Sequence, residues 1–447
     1  MVSAATLVSS RYLSFLSGPV GLPDVQYLDS TMLRVLHTAD WHLGQTFHGY
    51  DRDYEHGLFL DWLLCTLVGR RIDALLIAGD IFDSVNPSAV AQRRFFDFLA
   101  HAHAASPTLQ IVLTAGNHDA GARLEAPAGL LESLNITVVG TVSRDARGAI
   151  HHQRFLVPLK DATGKVGALA IAVPFLRPAD VPEMPEASDF YLEGIRELYR
   201  VAVEAAQALR DREHPRVPLI AIGHCHMRDA AESHDLERRI VIGGAEALRS
   251  DIFHADLAYV ALGHLHKPQE LDGGRIRYSG SPIPLSFSEK DYAHRVVEIV
   301  FDETGRAVFT SVPVPKAAVL HRMPIGSAVP IAELLQLLTD AVFDPTVQLD
   351  AQPFLEVRVL DDGPDPTRRR RIEEAIAGKA VRLASIKLES PARPEAAGSL
   401  AAPAFVDLGS LDAEEIMLAA HRERYRAEPD PSLLAALREI LADEALA

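Results

Sequence analysis

Five segments of this chain share one construction, in which an apolar run ends in residues that can bind a metal ion. In residues 73–83 an unbroken apolar run leads to Gly79 and then to Asp80. Such a run predicts a strand buried on both faces, and the glycine lets the backbone turn as the strand ends. Asp80 is therefore predicted at the carboxyl end of a strand, where ligands bind in open α/β sheets. The same construction is found in residues 33–40, 110–118, 218–224 and 257–266.

The side chains that follow these apolar runs combine the donor atoms that bind divalent metals. Carboxylate and amide oxygens suit Mn²⁺ or Mg²⁺, whereas imidazole nitrogens shift the preference toward Mn²⁺, iron or Zn²⁺. The candidate ligands are Asp40, His42, Asp80, Asn117, His224, His264 and His266. This set exceeds what one ion with about four to six ligands accepts, so the sequence predicts two ions that share Asp80. Two ions roughly 3.5–4 Å apart can activate water and hold a phosphate for in-line displacement, which predicts hydrolysis of a phosphoester.

Further residues lie beside this predicted site in the sequence. His118 directly follows a candidate ligand, so it can stabilise developing charge or protonate the leaving oxygen without being needed as a ligand. His226 is a second candidate ligand beside His224. Asp83 and Asp119 either orient metal-binding histidines or cap turns, and the sequence leaves both roles open.

The spacing of apolar residues predicts the fold class, which is α/β with two sheets. Residues 33–139 alternate strands with helices, among them one helix capped by Ser88 and one short helix at 122–134. This alternation predicts a mainly parallel sheet with right-handed crossovers. Residues 155–159 and 167–173 follow each other without a helix, so we expect antiparallel strands of a second sheet. Together they predict a two-sheet sandwich flanked by helices. The second sheet is expected to be completed by residues 240–243, 276–279 and 296–301.

Composition and pattern divide the 447 residues into a large domain with smaller additions. Beyond a Pro-rich stretch, strand and helix patterns predict a small α/β capping domain, and a linker rich in Pro, Ala, Gly and Ser separates it from a helical tail. The tail carries an apolar stripe at helical spacing, which predicts docking on a partner or packing against the chain itself. The predicted boundaries are 1–31 for an N-terminal extension, 32–312 for the large domain, 316–390 for the capping domain, 391–404 for the linker and 405–447 for the tail.

Charge and cysteine content limit the function classes. The net charge of −17 disfavours a surface built as a whole for nucleic acid, although metal ions and local arginines can still bind phosphates. The 2 cysteines are far apart in sequence, and no apolar run approaches the roughly 20 residues of a membrane span. A cytoplasmic protein without a membrane segment is therefore expected. No phosphate-loop motif for ATP occurs.

Through five motifs the chain resembles the calcineurin-like metallophosphoesterases, and within them it looks most like bacterial DNA nuclease subunits that work with a coiled-coil ATPase. The resemblance spans residues 32–445. The motifs are HTADWHLGQ (37–45), AGDIFD (78–83), AGNHD (115–119), YVALGHLHKPQ (259–269) and YSGSPIPLSFSE (278–289).

The resemblance implies a role for each candidate residue. One ion would take Asp40, His42, Asp80 and His266, the other would take Asp80, Asn117, His224 and His264, and His118 would be the catalytic histidine. His224 is thereby favoured over His226. The implied metal is Mn²⁺.

The resemblance also implies an activity and partners. The activity is 3′-to-5′ exonuclease action on duplex ends and endonuclease action on single strands and hairpins, in DNA repair, replication and recombination. The implied assembly is a homodimer within a heterotetramer, with residues 405–447 docked on the ATPase. Two alternatives are a phosphomonoesterase or small-molecule phosphodiesterase with the same ions, and a non-catalytic scaffold that recruits the partner.

Overall fold

The computed structural model describes residues 32–228, 230–231, 248–302 and 304–390, together with the isolated positions 417, 418, 421, 433 and 434. The chain divides into two compact units, Met1–Ser390 and Pro391–Ala447. The predicted extension 1–31, the strand expected at 240–243 and the linker 391–404 lie outside the described residues. In the predicted tail, the five described positions are helical.

The large domain is built from short strands and five α-helices within the described part of the chain. Its strands are β1 (Leu33–Thr38), β2 (Thr46–Phe47), β3 (Tyr50–Asp51), β4 (Ala74–Ala78), β5 (Gln110–Thr114), β6 (Ile136–Val139), β7 (Leu156–Lys160), β8 (Val166–Ala172), β9 (Leu219–His224), β10 (Leu257–Gly263), β11 (Gln269–Leu271), β12 (Ile276–Tyr278), β13 (Arg295–Phe301) and β14 (Ala307–Pro313). Its helices are α1 (Asp53–Gly69), α2 (Ala89–Ala105), α3 (Gly121–Glu125), α4 (Ala128–Glu132) and α5 (Phe190–Glu213).

Two six-stranded sheets within the described residues form the predicted sandwich, in the orders β14-β13-β1-β4-β5-β6 and β11-β12-β10-β9-β8-β7. In the first sheet β1, β4, β5 and β6 are parallel, and in the second β8, β9, β10 and β12 are parallel. As predicted, β7 and β8 pair antiparallel. All the candidate ligands lie at the ends of parallel strands, which are β1, β4 and β5 of the first sheet and β9 and β10 of the second.

Successive side chains along a strand point to opposite faces of its sheet, so one apolar core lies between the sheets and another lies on the outer face of the first sheet. On β4, Leu76 belongs to the core shared with the second sheet and with α5. Its neighbours Leu75 and Ile77 face the opposite side and pack against α1 and α2. Ser88 begins α2 as the sequence predicts, since its hydroxyl accepts a hydrogen bond from the Ala91 N–H. Both faces of the strand are therefore buried, which explains its unbroken apolar run.

Two expectations for the large domain are wrong. The strand at 296–301 belongs to the first sheet, where β13 pairs antiparallel with β1 and continues into a hairpin with β14. That pairing satisfies the outer edge of β1, whose N–H and C=O groups would otherwise lack partners. The single helix expected after β5 is two short helices, because Pro127 between α3 and α4 has no N–H to continue the first.

The small domain has the predicted alternation of strands and helices. Its elements are β15 (Leu320–Met323), α6 (Ile331–Asp340), β16 (Phe354–Leu360), α7 (Arg368–Ala375) and β17 (Arg382–Glu389). The strands form a parallel sheet in the order β15-β16-β17. A separate apolar cluster joins the small domain to the large one, and it contains Phe47, Phe287, Leu320 and Phe354.

Two histidines buried in the large domain predict acid sensitivity. His37 and His56 are almost fully buried, and burial lowers the pKa of each imidazole from 6.5 to about 3. The unfolded chain therefore binds more protons than the folded chain below pH 6.5. The two histidines leave the free energy of unfolding unchanged above pH 6.5 and lower it as the pH falls toward 3. We expect the urea midpoint to fall steadily from pH 6.5 to pH 4. In His37→Gln the fall should be smaller, and equal pH profiles for the two proteins would contradict this account.

Candidate metal centre

The candidate ligands follow the carboxyl ends of strands in both sheets. Asp40, Asp80 and Asn117 come after β1, β4 and β5, while His224 ends β9 and His264 follows β10. The backbone at several of these positions adopts positive φ, which residues other than glycine rarely do. The φ angles are 56° at Asp40, 47° at His42, 49° at Asp80 and 102° at His264. Such strain collects at functional sites, where the surrounding structure holds it in place.

Two motif glycines allow these strand ends to approach each other. Gly79 has φ of 82°, and a Cβ atom there would lie 2.3 Å from His224 Nδ1. A Cβ atom on Gly116 would lie 2.1 Å from Asp80 Oδ1. Any larger residue at either position would push a candidate ligand away from the site.

Asp80 lies at the centre of the cluster. Its Oδ2 is 3.5 Å from His42 Nε2 and 3.4 Å from His224 Nε2. Its Oδ1 accepts a hydrogen bond of 2.9 Å from the backbone N–H of His118. The carboxylate thus stands between imidazoles contributed by the two sheets.

The structure brings all the candidate ligands together. Potential ligand atoms lie within 4.8 Å of one another in two buried groups, one of Asp40, His42 and His266 and one of Asp40, Asp80 and His224. Asn117 Oδ1 extends the second group, since it is 2.9 Å from His224 Nε2 and 2.9 Å from His264 Nδ1.

Two buried atoms of the cluster fit the presence of metal ions. Asp40 Oδ2 and His42 Nε2 have no hydrogen-bond partner among the residues that the structure describes. Buried polar atoms in folded proteins nearly always have partners. A cation bound between the carboxylates and imidazoles would provide one for both, so the donor set fits divalent metals.

Hydrogen bonds fix the histidine tautomers that metal binding requires. The Nδ1 atoms of His224 and His42 lie 2.9 Å from the Ala78 carbonyl and 3.2 Å from Asp83 Oδ1. Because both partners are acceptors, each Nδ1 carries the proton and donates it. Nε2 is then the nitrogen that each ring, once neutral, offers to a metal.

Burial and neighbouring charges act in opposite directions on the pKa values of the cluster. Burial raises the pKa of Asp40. Burial also opposes ionisation of Asp80, but His224 and His42 outweigh it and hold the pKa of Asp80 far below its usual range. Burial lowers the pKa of His224, yet Asp80 and Asp40 raise it to about 9. Since a ligating imidazole is neutral, a metal that binds His224 at pH 7 displaces a proton.

Comparison with known proteins gives the relatives of this chain. A family model described as calcineurin-like phosphoesterase matches residues 33–268, and one described as type 5 capsule protein repressor C-terminal domain matches residues 319–425. The chain is 42% identical to the SbcD component of nuclease SbcCD from Rhodobacter capsulatus, over 83% of this chain and 90% of that protein. The chain belongs to the SbcD family of calcineurin-like phosphoesterases. Members from Escherichia coli strain K12 and Bacillus subtilis strain 168 are 34% and 38% identical over 72% and 59% of this chain, and over 78% and 65% of their own lengths.

Phosphoesterases of this family use divalent metals, which agrees with the clusters described above. Within the described residues of this SbcD-family chain, no helix is long and apolar enough to cross a membrane.

The residues that sequence reasoning left open take distinct positions in this SbcD-family site. Asp83 accepts a hydrogen bond from the His42 ring. Among the described residues, Asp119 makes no hydrogen bond with a histidine ring. Its carboxylate accepts backbone N–H groups from the turns after β4 and β5, at Gly116, Ile81 and Phe82. Of the two neighbouring histidines, His224 contacts Asp80 and Asn117, whereas the ring of His226 lies 6.2 Å from that of His264.

Sequence reasoning missed Glu289, which lies in the turn Phe287–Glu289. This carboxylate is fully buried, and its Oε1 lies 2.9 Å from His266 Nδ1. Its Oε2 accepts hydrogen bonds from the Leu285 N–H and the Ser281 hydroxyl. His266 is thereby oriented with Nε2 available, as His42 and His224 are. The available signal was an acidic residue at the end of the motif 278–289.

Replacing Glu289 should weaken metal binding without removing a ligand. In Glu289→Gln the charge that orients His266 is lost, so we expect about 10–100-fold lower affinity for one of two ions. Titration calorimetry with Mn²⁺ measures this, with Glu270→Gln as the control because Glu270 pairs with Arg277 at the edge of the second sheet. Equal Mn²⁺ affinity in Glu289→Gln and the wild type would contradict the assigned role.

Proposed function

We propose that this chain is a Mn²⁺-dependent DNA nuclease that hydrolyses phosphodiesters by a two-metal mechanism. Its activities would be 3′-to-5′ exonuclease action on duplex DNA and endonuclease action on single strands and hairpins. The observation that carries the proposal is the position of the Asp80 carboxylate between His42 and His224, with the exposed His118 beside it, in a chain of the SbcD family.

The contacts support one ligand set for each ion. Asp40, His42, Asp80 and His266 would hold the first ion. Asp80, Asn117, His224 and His264 would hold the second. When bound, such ions neutralise charge on the phosphate and lower the pKa of water so that it can attack. The protein's contribution is to hold the ligands at fixed positions and, by binding Nδ1 of three imidazoles, to leave Nε2 of each as the nitrogen that would bind a metal.

His118 is proposed as the catalytic acid beside the ions. Its Nδ1 lies 2.8 Å from the Asp83 carbonyl, so this nitrogen donates its proton there and Nε2 is left to exchange protons. The ring is exposed and lies 4.9 Å from that of His42, centroid to centroid. An exposed imidazole beside the cluster can stabilise phosphate charge or protonate the leaving oxygen.

The proposed partners are DNA and an SbcC-type coiled-coil ATPase. Binding to the ATPase would use residues 405–447, and the chain would act in the cytoplasm as a homodimer within a heterotetramer, in DNA repair, replication and recombination. The domain boundaries proposed from the sequence, 32–312 and 316–390, would then separate a nuclease domain from a cap. Support comes from the relatives, which are named as components of the SbcCD nuclease.

Removal of the tail should separate partner binding from catalysis. A chain lacking residues 405–447 is expected to lose co-purification with the ATPase, because the apolar stripe of the tail would be the docking surface. It should still cleave single strands with Mn²⁺, since all the candidate ligands precede the deleted residues in the sequence. Leu434→Glu with Leu437→Glu tests the stripe in the full chain. A truncated chain that still co-purifies would exclude this docking site.

The experiment that tests the proposal is cleavage of an end-labelled DNA hairpin by the purified chain with Mn²⁺, Mg²⁺ or a chelator. We expect cleavage with Mn²⁺ and none with the chelator. Hydrolysis of p-nitrophenyl phosphate without cleavage of DNA, even with the ATPase present, would favour the phosphomonoesterase alternative.

A further inference from the structure

The segment that follows β8 crosses from the second sheet to the first beside the metal centre. Val173 N–H donates to the Ile222 carbonyl at 2.9 Å, and Phe175 N–H donates to the Ala115 carbonyl at 2.8 Å. Each acceptor lies two residues before a candidate ligand, one on each sheet. The segment is therefore held against both halves of the cluster by its own backbone.

Phe175 is packed against the imidazoles proposed for the second ion. Its ring is stacked on that of His264 at 25° with centroids 6.5 Å apart, and it meets the ring of His224 edge-on at 6.1 Å. The side chain is half-buried. These contacts give the ring one position at the side of the metal centre.

Arg177 is exposed beside this ring. Its guanidinium carbon lies 5.6 Å from the Phe175 centroid, which is within the range of a cation–π contact. The backbone of Arg177 is fixed by a 2.8 Å hydrogen bond from its N–H to Asp180 Oδ2. The side chain makes no hydrogen bond or ion pair with the residues that the structure describes.

The clustered arginines of the small domain differ from Arg177, because each of them has an ion-pair partner. The four arginines that begin α7 all have carboxylate partners, which are Asp362, Glu373, Glu374 and Asp365. Their charges are compensated within the small domain. The Arg177 guanidinium has no ion-pair partner among the described residues and packs on the ring that contacts His264 and His224, in a chain of net charge −17.

We propose that Arg177 binds a non-scissile phosphate of the DNA strand that is being cut, with Phe175 as the platform that positions it. The inference rests on the proposed nuclease function and adds a specificity residue to it. A guanidinium offers planar paired donors that match two phosphate oxygens. Because a small ester has no second phosphate, this contact favours polynucleotides over small phosphoesters.

The test compares two substrates with Mn²⁺, a single-stranded oligonucleotide and bis(p-nitrophenyl) phosphate. In Arg177→Ala we expect KM for the oligonucleotide to rise about tenfold, with a smaller change in kcat. The ratio of kcat/KM for the oligonucleotide to that for the ester should fall about tenfold. The dependence of log KM on log salt concentration should become shallower by about 0.7, the value for one phosphate contact on a single strand. Arg177→Lys should keep the salt dependence and lose part of the affinity, because lysine cannot bind the phosphate with paired donors.

Arg306→Ala is the matched control, since Arg306 is exposed in the turn between β13 and β14. Phe301 at that end of β13 pairs with Leu33 at the start of β1, whereas the ligands follow the opposite end of β1. This variant removes the same charge far from the metal centre. Its KM for the oligonucleotide and its salt dependence should therefore equal those of the wild type.

Two results would overturn the inference. One is an Arg177→Ala protein with the KM and salt dependence of the wild type. The other is an equal loss on both substrates, which would mean that Arg177 supports the metal centre. A wild-type chain that hydrolyses the ester but never the oligonucleotide, even with the ATPase, would overturn the proposed function itself and the inference with it.

Discussion

Replacing Asp80 with asparagine should reduce Mn²⁺-dependent cleavage by on the order of 10³-fold, because the proposed bridge between two ions is lost. Asp80 is only 2% exposed, and its carboxylate contacts imidazoles of both proposed ligand sets. Asparagine keeps the size of the side chain and can still accept the His118 N–H. The expected defect is therefore in metal binding, and metal analysis should find fewer than two ions per chain.

Asp211→Asn is the control for this loss of charge. Asp211 is exposed on α5 and pairs only with Arg210 among the described residues, so both metal content and cleavage should match the wild type. Two tightly bound ions in Asp80→Asn would show that Asp80 does not bridge them. Asp40, which belongs to both buried groups, would then be the candidate for a shared ligand.

Replacing His118 with alanine should lower kcat by about 10²–10⁴-fold while two ions remain bound. The reason is that His118 contributes no atom to the buried groups that contain Asp40 and is exposed to solvent. Single-turnover cleavage of the hairpin, measured at saturating Mn²⁺, isolates the chemical step from metal binding.

His151→Ala removes another exposed imidazole, and it should cleave at the wild-type rate. A His118→Ala protein with both ions bound and unchanged single-turnover cleavage would remove His118 from the mechanism. Loss of metal together with activity would instead place His118 among the ligands, in the group with His42 and Asp83.

The sequence predicted the elements that carry the ligands because the signals are local. An apolar run, a glycine and a ligand within about ten residues define β4 and its turn, and Asp80 lies where this pattern predicts it. The same holds for β5, β9 and β10. The seven candidate ligands were found without knowledge of the pairing, since each of them lies at or just beyond the carboxyl end of one of five strands.

Long-range pairing could not be predicted in the same way. The apolar pattern of β13 fits either sheet, and the free edge of β1 decides between them. The two strands are far apart in sequence, since Arg34 of β1 and Glu298 of β13, whose side chains are hydrogen-bonded, are separated by 264 positions. Glu289 was missed for a related reason. Its contact with His266 depends on a buried turn that brings residues from two distant motifs together. Hydrogen bonds that select a histidine tautomer likewise exist only in the folded chain.

The division of the ligands between the two sheets links metal supply to the lifetime of the folded protein. Asp40 and Asp80 follow strands of the first sheet, while His224 and His264 belong to the second. Each proposed ion would take ligands from both sheets, and such an ion is a crosslink across the sandwich that the unfolded chain cannot form. At a free metal concentration 100 times the dissociation constant, each ion adds about 2.7 kcal/mol to the free energy of unfolding. A cell short of the metal would therefore lose folded protein as well as activity.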